Sequence, residues 1–197
     1  MAALQTRVTN ILTSPATEWP VIAAEPTDEG TLFKEYIVPL AAIGPIASFI
    51  GWSVIGGTMP FAGYYRQPIM TGLTSLVVSY AMALAVVYIC AMVIEWLAPK
   101  FQSSGSRVDA LKLVAYASTP GWVAGALNLL PALGVLAGLV GLYGIYLFYL
   151  GLPVLMKTPS NQVVAFMIVS ALVVILVSFG LAVVAASVTG AAAMMPY

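Results

Sequence analysis

Long stretches of this chain carry no charge at all. Apolar runs occupy residues 36–57, 67–94, 113–156 and 158 onward. About 20 apolar residues cross a hydrocarbon core, so each run predicts at least one membrane-spanning helix. As one helix at about 1.5 Å per residue, 113–156 would be about 66 Å long, twice the hydrocarbon thickness, so it must fold back on itself. Asn128-Leu129-Leu130-Pro131 supplies the break, because Pro131 lacks a donor and biases Leu130 away from helix. The pattern therefore predicts an all-α membrane protein of five transmembrane helices, 36–57, 68–96, 108–127, 132–152 and 161–188, together forming a membrane domain over 36–197.

Residues 1–35 read differently. Leu4, Val8, Ile11 and Leu12 recur at helical spacing and predict a short amphipathic helix. Ser14-Pro15 then reads as a cap with proline in the first helical position, opening a second short helix that carries Glu18, Trp19 and Ile22. With Glu25, Asp28, Glu29 and Glu35, this segment holds most of the acids. Two readings fit it: a docking surface for a cytoplasmic partner, or an interfacial collar in the headgroups anchored by Trp19.

Charge fixes the orientation. Arg7, Lys34, Lys100, Arg107, Lys112 and Lys157 all fall on one side of a five-span chain and Arg66 alone on the other, which predicts a cytoplasmic N-terminus and an outside C-terminus. Because the first long apolar run begins behind a charged segment, the first span reads as a permanent anchor. The composition agrees with the class: 61% hydrophobic, 7% charged, mean hydropathy +1.02. A net charge of +0 offers no basic footprint for nucleic acid.

Candidate chemistry is sparse. The chain has no histidine and one cysteine, Cys90, which removes histidine-ligated metals, histidine-assisted nucleophiles and an internal disulfide. No ionisable residue falls at a predicted span centre, where transport chemistry usually places one. Ser106-x-x-Asp109 reads as a capping arrangement. The expectation is a protein that is not an enzyme and binds no cofactor or metal.

What the spans do carry is small residues, which let apolar helices approach closely inside lipid. Gly134, Gly138 and Gly141 share one face, Gly121 and Gly125 another, Ser75 and Ser79 extend a row begun by Thr71, and Ala182 and Ala186 follow Ser178. Helix packing or self-association is the first expectation from them. A facilitator or channel for a small neutral or lipid-like solute is the alternative, motivated by the hydroxyl row and by Pro39, Pro45 and Pro120 as kinks. Tyr143, Tyr146 and Tyr149 form either an interface belt or a cavity lining. The connector from Pro153 through Leu155, Met156 and Lys157 to Pro159 is expected to expose its apolar residues at the cytoplasmic face, as a partner surface or within the interface.

Several of these segments together resemble a known family. Tyr116-Ala-Ser-Thr-Pro120, Leu130-Pro131-Ala-Leu-Gly134 and the block from Tyr143-Gly144 through Tyr146, Tyr149 and Gly151 to Pro153-Val-Leu-Met156 are similar to the bacterial branch of the Yip (Ypt-interacting protein) membrane family. The opening from Ser14-Pro15 through Glu18-Trp19 to Glu25-Pro26 is similar as well. The resemblance implies five spans with a cytoplasmic N-terminus, and its bacterial branch the inner membrane. The small-residue rows and the lack of buried chemistry make a noncatalytic scaffold or adaptor of this family, in membrane organisation or trafficking-like processes, the first functional expectation. Glu18, Trp19, Glu25, Tyr116, Pro120, Tyr143, Tyr146, Tyr149, Pro153 and Lys157 are then the candidate interaction residues, with the bilayer, other membrane proteins or a second copy as partners. Eukaryotic relatives are associated with Rab-type GTPases. That partnership is not supported here, because the cytoplasmic Asp-Leu-Tyr-Gly-Pro element is missing and the one Leu-Tyr-Gly, at Leu142, falls inside the fourth predicted span.

Overall fold

The computed structural model describes residues 4–59 and 63–193. Two short helices come first, α1 (Leu4–Thr13) and α2 (Pro15–Ala24). Helix α3 (Glu29–Ile55) follows, with π-helical segments at Phe33–Ile37 and Ile50–Ile55. Pro39 and Pro45 lie between those segments, and the missing proline donors give the irregular turns a physical cause. Asp28 caps α3: its carboxylate accepts hydrogen bonds from the Thr31 backbone N–H at 3.0 Å and the Thr31 hydroxyl at 2.6 Å.

After α3 the chain forms a small hairpin, β1 (Gly57–Met59) paired antiparallel with β2 (Gly63–Tyr65). Its entry needs a positive φ of 79° at Gly56, and the Tyr64 hydroxyl closes it on the Ile55 carbonyl at 2.7 Å. Periodicity did not predict this hairpin, since strands this short leave almost no alternation to read. Arg66, at its exit, donates to the Ser53 carbonyl at 2.8 Å.

Four long helices complete the chain. They are α4 (Ile69–Leu97), α5 (Arg107–Ala124), α6 (Pro131–Leu155) and α7 (Val163–Ala193). Helices α3, α4, α6 and α7 are long and apolar enough to cross a membrane. α5 is the less apolar one and the central one: every residue from Ala110 to Ala117 is buried. The two facts share a cause, because a helix wrapped by other helices meets protein and does not need the hydrophobicity that lipid demands of α6 and α7. Those two turn Val135, Leu139, Leu176 and Phe179 outward. The apolar run is interrupted between α5 and α6 by a 3₁₀ turn, Gly125–Leu129, and by an extended Leu130 before Pro131.

Helix α5 begins on a capping box. The Asp109 N–H donates to Ser106 Oγ at 3.2 Å and the Ser106 N–H donates back to the Asp109 carboxylate at 2.9 Å. The connectors at this end are tied together, with the Ser104 N–H donating to the Met156 carbonyl at 3.0 Å and the Ser103 and Thr158 hydroxyls 2.8 Å apart. This corrects the expectation for the 153–159 connector: Leu155 and Met156 are buried, Met156 against Gly105, and Lys157 is the exposed one. Pro153 is exposed too.

Candidate functional site

The polar residues that α1 and α2 bring inward form the one buried ion network among the described residues. Arg7, on α1, is 4% exposed and bridges Glu18 of α2 with Glu25 just beyond it. Asn10 adds a 3.1 Å bond to the other Glu18 oxygen. Lys112 of α5, itself buried, donates to the backbone carbonyls of Ile22 at 2.9 Å and Glu25 at 2.7 Å. The last carbonyls of a helix have no partner within it and carry its negative end, so an ammonium placed there satisfies both at once. The end of α1 is met in the same way, by the Tyr143 hydroxyl of α6 donating to the Leu12 carbonyl at 3.1 Å. Tyr143 stands about 18 Å along α6 from its Leu155 end, at about 1.5 Å per residue, so α1 packs well along the bundle and not merely across its end.

Around the charges lies an aromatic layer. Trp19 is 0% exposed, meets Tyr116 edge-on at 6.2 Å, and rests on Gly151, where an added Cβ would come within 2.7 Å of its ring. Tyr116 in turn lies 4.4 Å from the Tyr36 ring. The Tyr36 hydroxyl is 2.7 Å from Thr119 Oγ1, which is 83 residues away in sequence. Thr119 precedes Pro120, which is buried within α5. The reading of Trp19 as an anchor at the membrane surface is therefore corrected: its ring reaches no surface, because it lies on the face of α2 that packs against the bundle, whereas Pro20 and Val21 on the other face are exposed. Of the candidate interaction residues, the structure thus gathers Glu18, Trp19, Glu25, Tyr116, Pro120 and Tyr143 at one locus. Tyr149, Pro153 and Lys157 stay outside it and are exposed, and Tyr146, exposed too, touches its edge through the Tyr143 ring at 5.6 Å.

The small residues divide the same way. Gly121 and Gly141 face each other, each with 3.9 Å between its added Cβ and the other's Cα, and a Cβ added at Gly125 would stand 2.8 Å from the Gly44 Cα. Gly134 lies near Asn128 Oδ1, at 3.4 Å. Gly138 meets nothing within 4 Å in this chain. Ser79, Ala182 and Ala186 are exposed, and Ser75 accepts from Gln67 at 3.3 Å. Among the α6 glycines, sequence reasoning missed the most tightly enclosed, Gly144, whose added Cβ would stand 2.5 Å from the Ala117 carbonyl oxygen. The signal was there, in the step from Gly141 to Gly144 on one side of the helix.

Between α4, α5, α6 and α7 lies a cavity of about 420 Å³. Ser75, Ser79 and Tyr146, the residues the facilitator alternative looks to, are not among its lining residues. The walls are apolar apart from Ser118 and Ser170. No group of three or more metal-ligating side chains occurs among the described residues.

The family model described as the Yip1 domain matches residues 9–182. Two curated relatives are similar along most of the chain, the inner membrane protein YohC of Escherichia coli strain K12 and its counterpart in strain O6:H1. Each is 28% identical over 162 residues, covering 81% of this chain and 83% of the relative. No solved structure matches the chain.

Proposed function

We propose that this chain, which belongs to the Yip1 domain family, is a noncatalytic scaffold of the bacterial inner membrane whose N-terminal helices are a fixed part of its bundle. The observation that carries the reading is the engagement of the buried charges: Arg7 with Glu18 and Glu25, and Lys112 with the end of α2, all hold helices together. In this reading α5 is a fifth span, shielded from lipid by its neighbours, and the N-terminus is cytoplasmic with the C-terminus outside. The similarity to an inner membrane protein supports the compartment.

Two surfaces then remain for association. One is the cytoplasmic end, where Pro153 and Lys157 are exposed. The other is the face of α6 around Gly138, open within the chain and small enough for close approach by another helix. The test is site-specific photocrosslinking in cells, with the reactive residue placed at Pro153, Lys157 or Gly138 and, as a buried control, at Trp19. Discrete adducts at the exposed positions and none at Trp19 are expected. Absence of adducts at all three exposed positions refutes the scaffold reading. Gly138→Leu should reduce self-association measured by fluorescence transfer between labelled copies, with the fold retained.

A further inference from the structure

The cavity between α4 and α7 has the size of a ligand site, within the usual range of about 300–1,000 Å³. It lies beside helices long and apolar enough to cross a membrane. Ile145 and Ile175 line it while also being exposed on the outer face, so its mouth opens sideways, where those helices meet lipid. Small residues, Gly144 and Ala171 among them, make the room on the inner walls.

One wall residue is chemically out of place. Ser170 is 1% exposed, and its hydroxyl has no hydrogen-bond partner among the described residues. A hydroxyl left unmatched in an apolar surrounding is costly, and cavities this apolar do not hold water well enough to relieve it. Ser118, the other hydroxyl of the wall, donates to the Val114 carbonyl at 2.7 Å and keeps its acceptor positions. Ser170 stands about 10 Å along α7 from Val163, and Ser118 about 16 Å along α5 from Arg107, at about 1.5 Å per residue. With α5 and α7 read as spans whose starts mark the membrane boundary, both lie well inside a hydrocarbon core of about 30 Å, beneath the depth at which phospholipid esters lie.

We propose that this cavity, through the unmatched Ser170 hydroxyl on its otherwise apolar wall, binds a neutral lipid taken from the bilayer, an apolar chain or ring carrying one carbonyl or hydroxyl. Such a molecule fills the space with its apolar part and supplies the one missing hydrogen bond at a depth a phospholipid headgroup does not reach. The site goes beyond the scaffold reading and uses none of the residues of the ion network, and rests on that reading only for the placement of α5 across the membrane.

The test uses the full chain in phosphatidylcholine nanodiscs, irradiated with a hexadecanol that bears a diazirine in its chain, with adducts mapped by mass spectrometry. Adducts are expected on the α5 and α7 peptides that contain Ser118 and Ser170, and excess unlabelled hexadecanol should suppress them. Ser170→Ala should lower labelling at subsaturating probe by about fivefold, the worth of one net hydrogen bond, and Ser170→Thr should restore it. Ala171→Phe should abolish labelling by filling the space. If that variant does not fold, the competition and the Ser170→Ala arms decide. Adducts spread along the outer faces of α6 and α7 and insensitive to competitor overturn the proposal. So does equal labelling of the cavity by a diazirine phosphatidylcholine with no effect of Ser170→Ala, which would make the occupant an ordinary acyl chain.

Discussion

The ammonium of Lys112 donates a 2.7 Å hydrogen bond to the backbone carbonyl of Glu25, a residue 87 positions earlier in the chain. With the bond to Ile22 it makes a side chain of the central helix the C-terminal cap of α2. Helices of about ten residues are marginal in water, so α1 and α2 owe their stability to such tertiary partners.

Lys112→Met should therefore release the N-terminal segment before it unfolds the bundle. Each stranded carbonyl costs about 1–3 kcal/mol if it stays buried, so fraying of α2 relieves the penalty. Limited proteolysis of the protein in detergent should cut within 15–25 much faster in the variant, while the large fragment survives. A cleavage rate equal to that of the unmodified chain would refute the capping role.

Arg7 and Glu18 should behave as a unit. Both are almost fully buried, and stripping one charge leaves the other without its partner. Arg7→Met alone should cost about 3–5 kcal/mol. Adding Glu18→Leu should recover most of that loss, because Glu25 is the more exposed of the two carboxylates and turns to water more readily. A double-mutant cycle on unfolding in a mixed-micelle titration reads the coupling, and simple additivity would contradict the pairing.

Two glycines separated by less than two turns of α6 should respond in opposite ways. Gly144→Ala drives a methyl into the Ala117 carbonyl, at 2.5 Å before relaxation, and overpacking of this kind costs about 1–3 kcal/mol. Gly138→Ala meets nothing and gains about 1 kcal/mol of helix propensity. Thermal midpoints of the two variants should fall on either side of the parent's.

Acid should loosen the start of α3 through Asp28. Its hydrogen bonds from the Thr31 side chain and backbone hold the carboxyl below its ordinary value of 3.8. A carboxyl depressed in the folded state contributes its stability above the unfolded value and loses it as pH falls through the folded one. Amide exchange at Thr31 should therefore show a rise in opening at low pH that Asp28→Asn removes; the same profile in both proteins would assign the acid response elsewhere.

Hydropathy along the chain determined the membrane class and the apolar helices, while Pro131 and the Ser106-x-x-Asp109 spacing determined the turn and the cap. These are properties of consecutive residues, set by transfer of short segments into lipid and by backbone rules that need no distant partner. The same sequence placed Glu18, Trp19 and Glu25 on a short amphipathic element and left open whether it faces a partner or the headgroups. Tertiary structure decided where those particular side chains go: Trp19 is covered by Tyr116 and Gly151 and the Arg7 charge is balanced inside the protein, through contacts that no local period encodes, while the opposite face of α2, with Pro20 and Val21, stays exposed. It also decided which glycines matter: the small-residue face read from the sequence includes Gly138 and omits Gly144, yet the Ala117 carbonyl closes over Gly144 and leaves Gly138 open. The cavity belongs to the same category, since an empty space has no residues of its own and exists only where four helices fail to close.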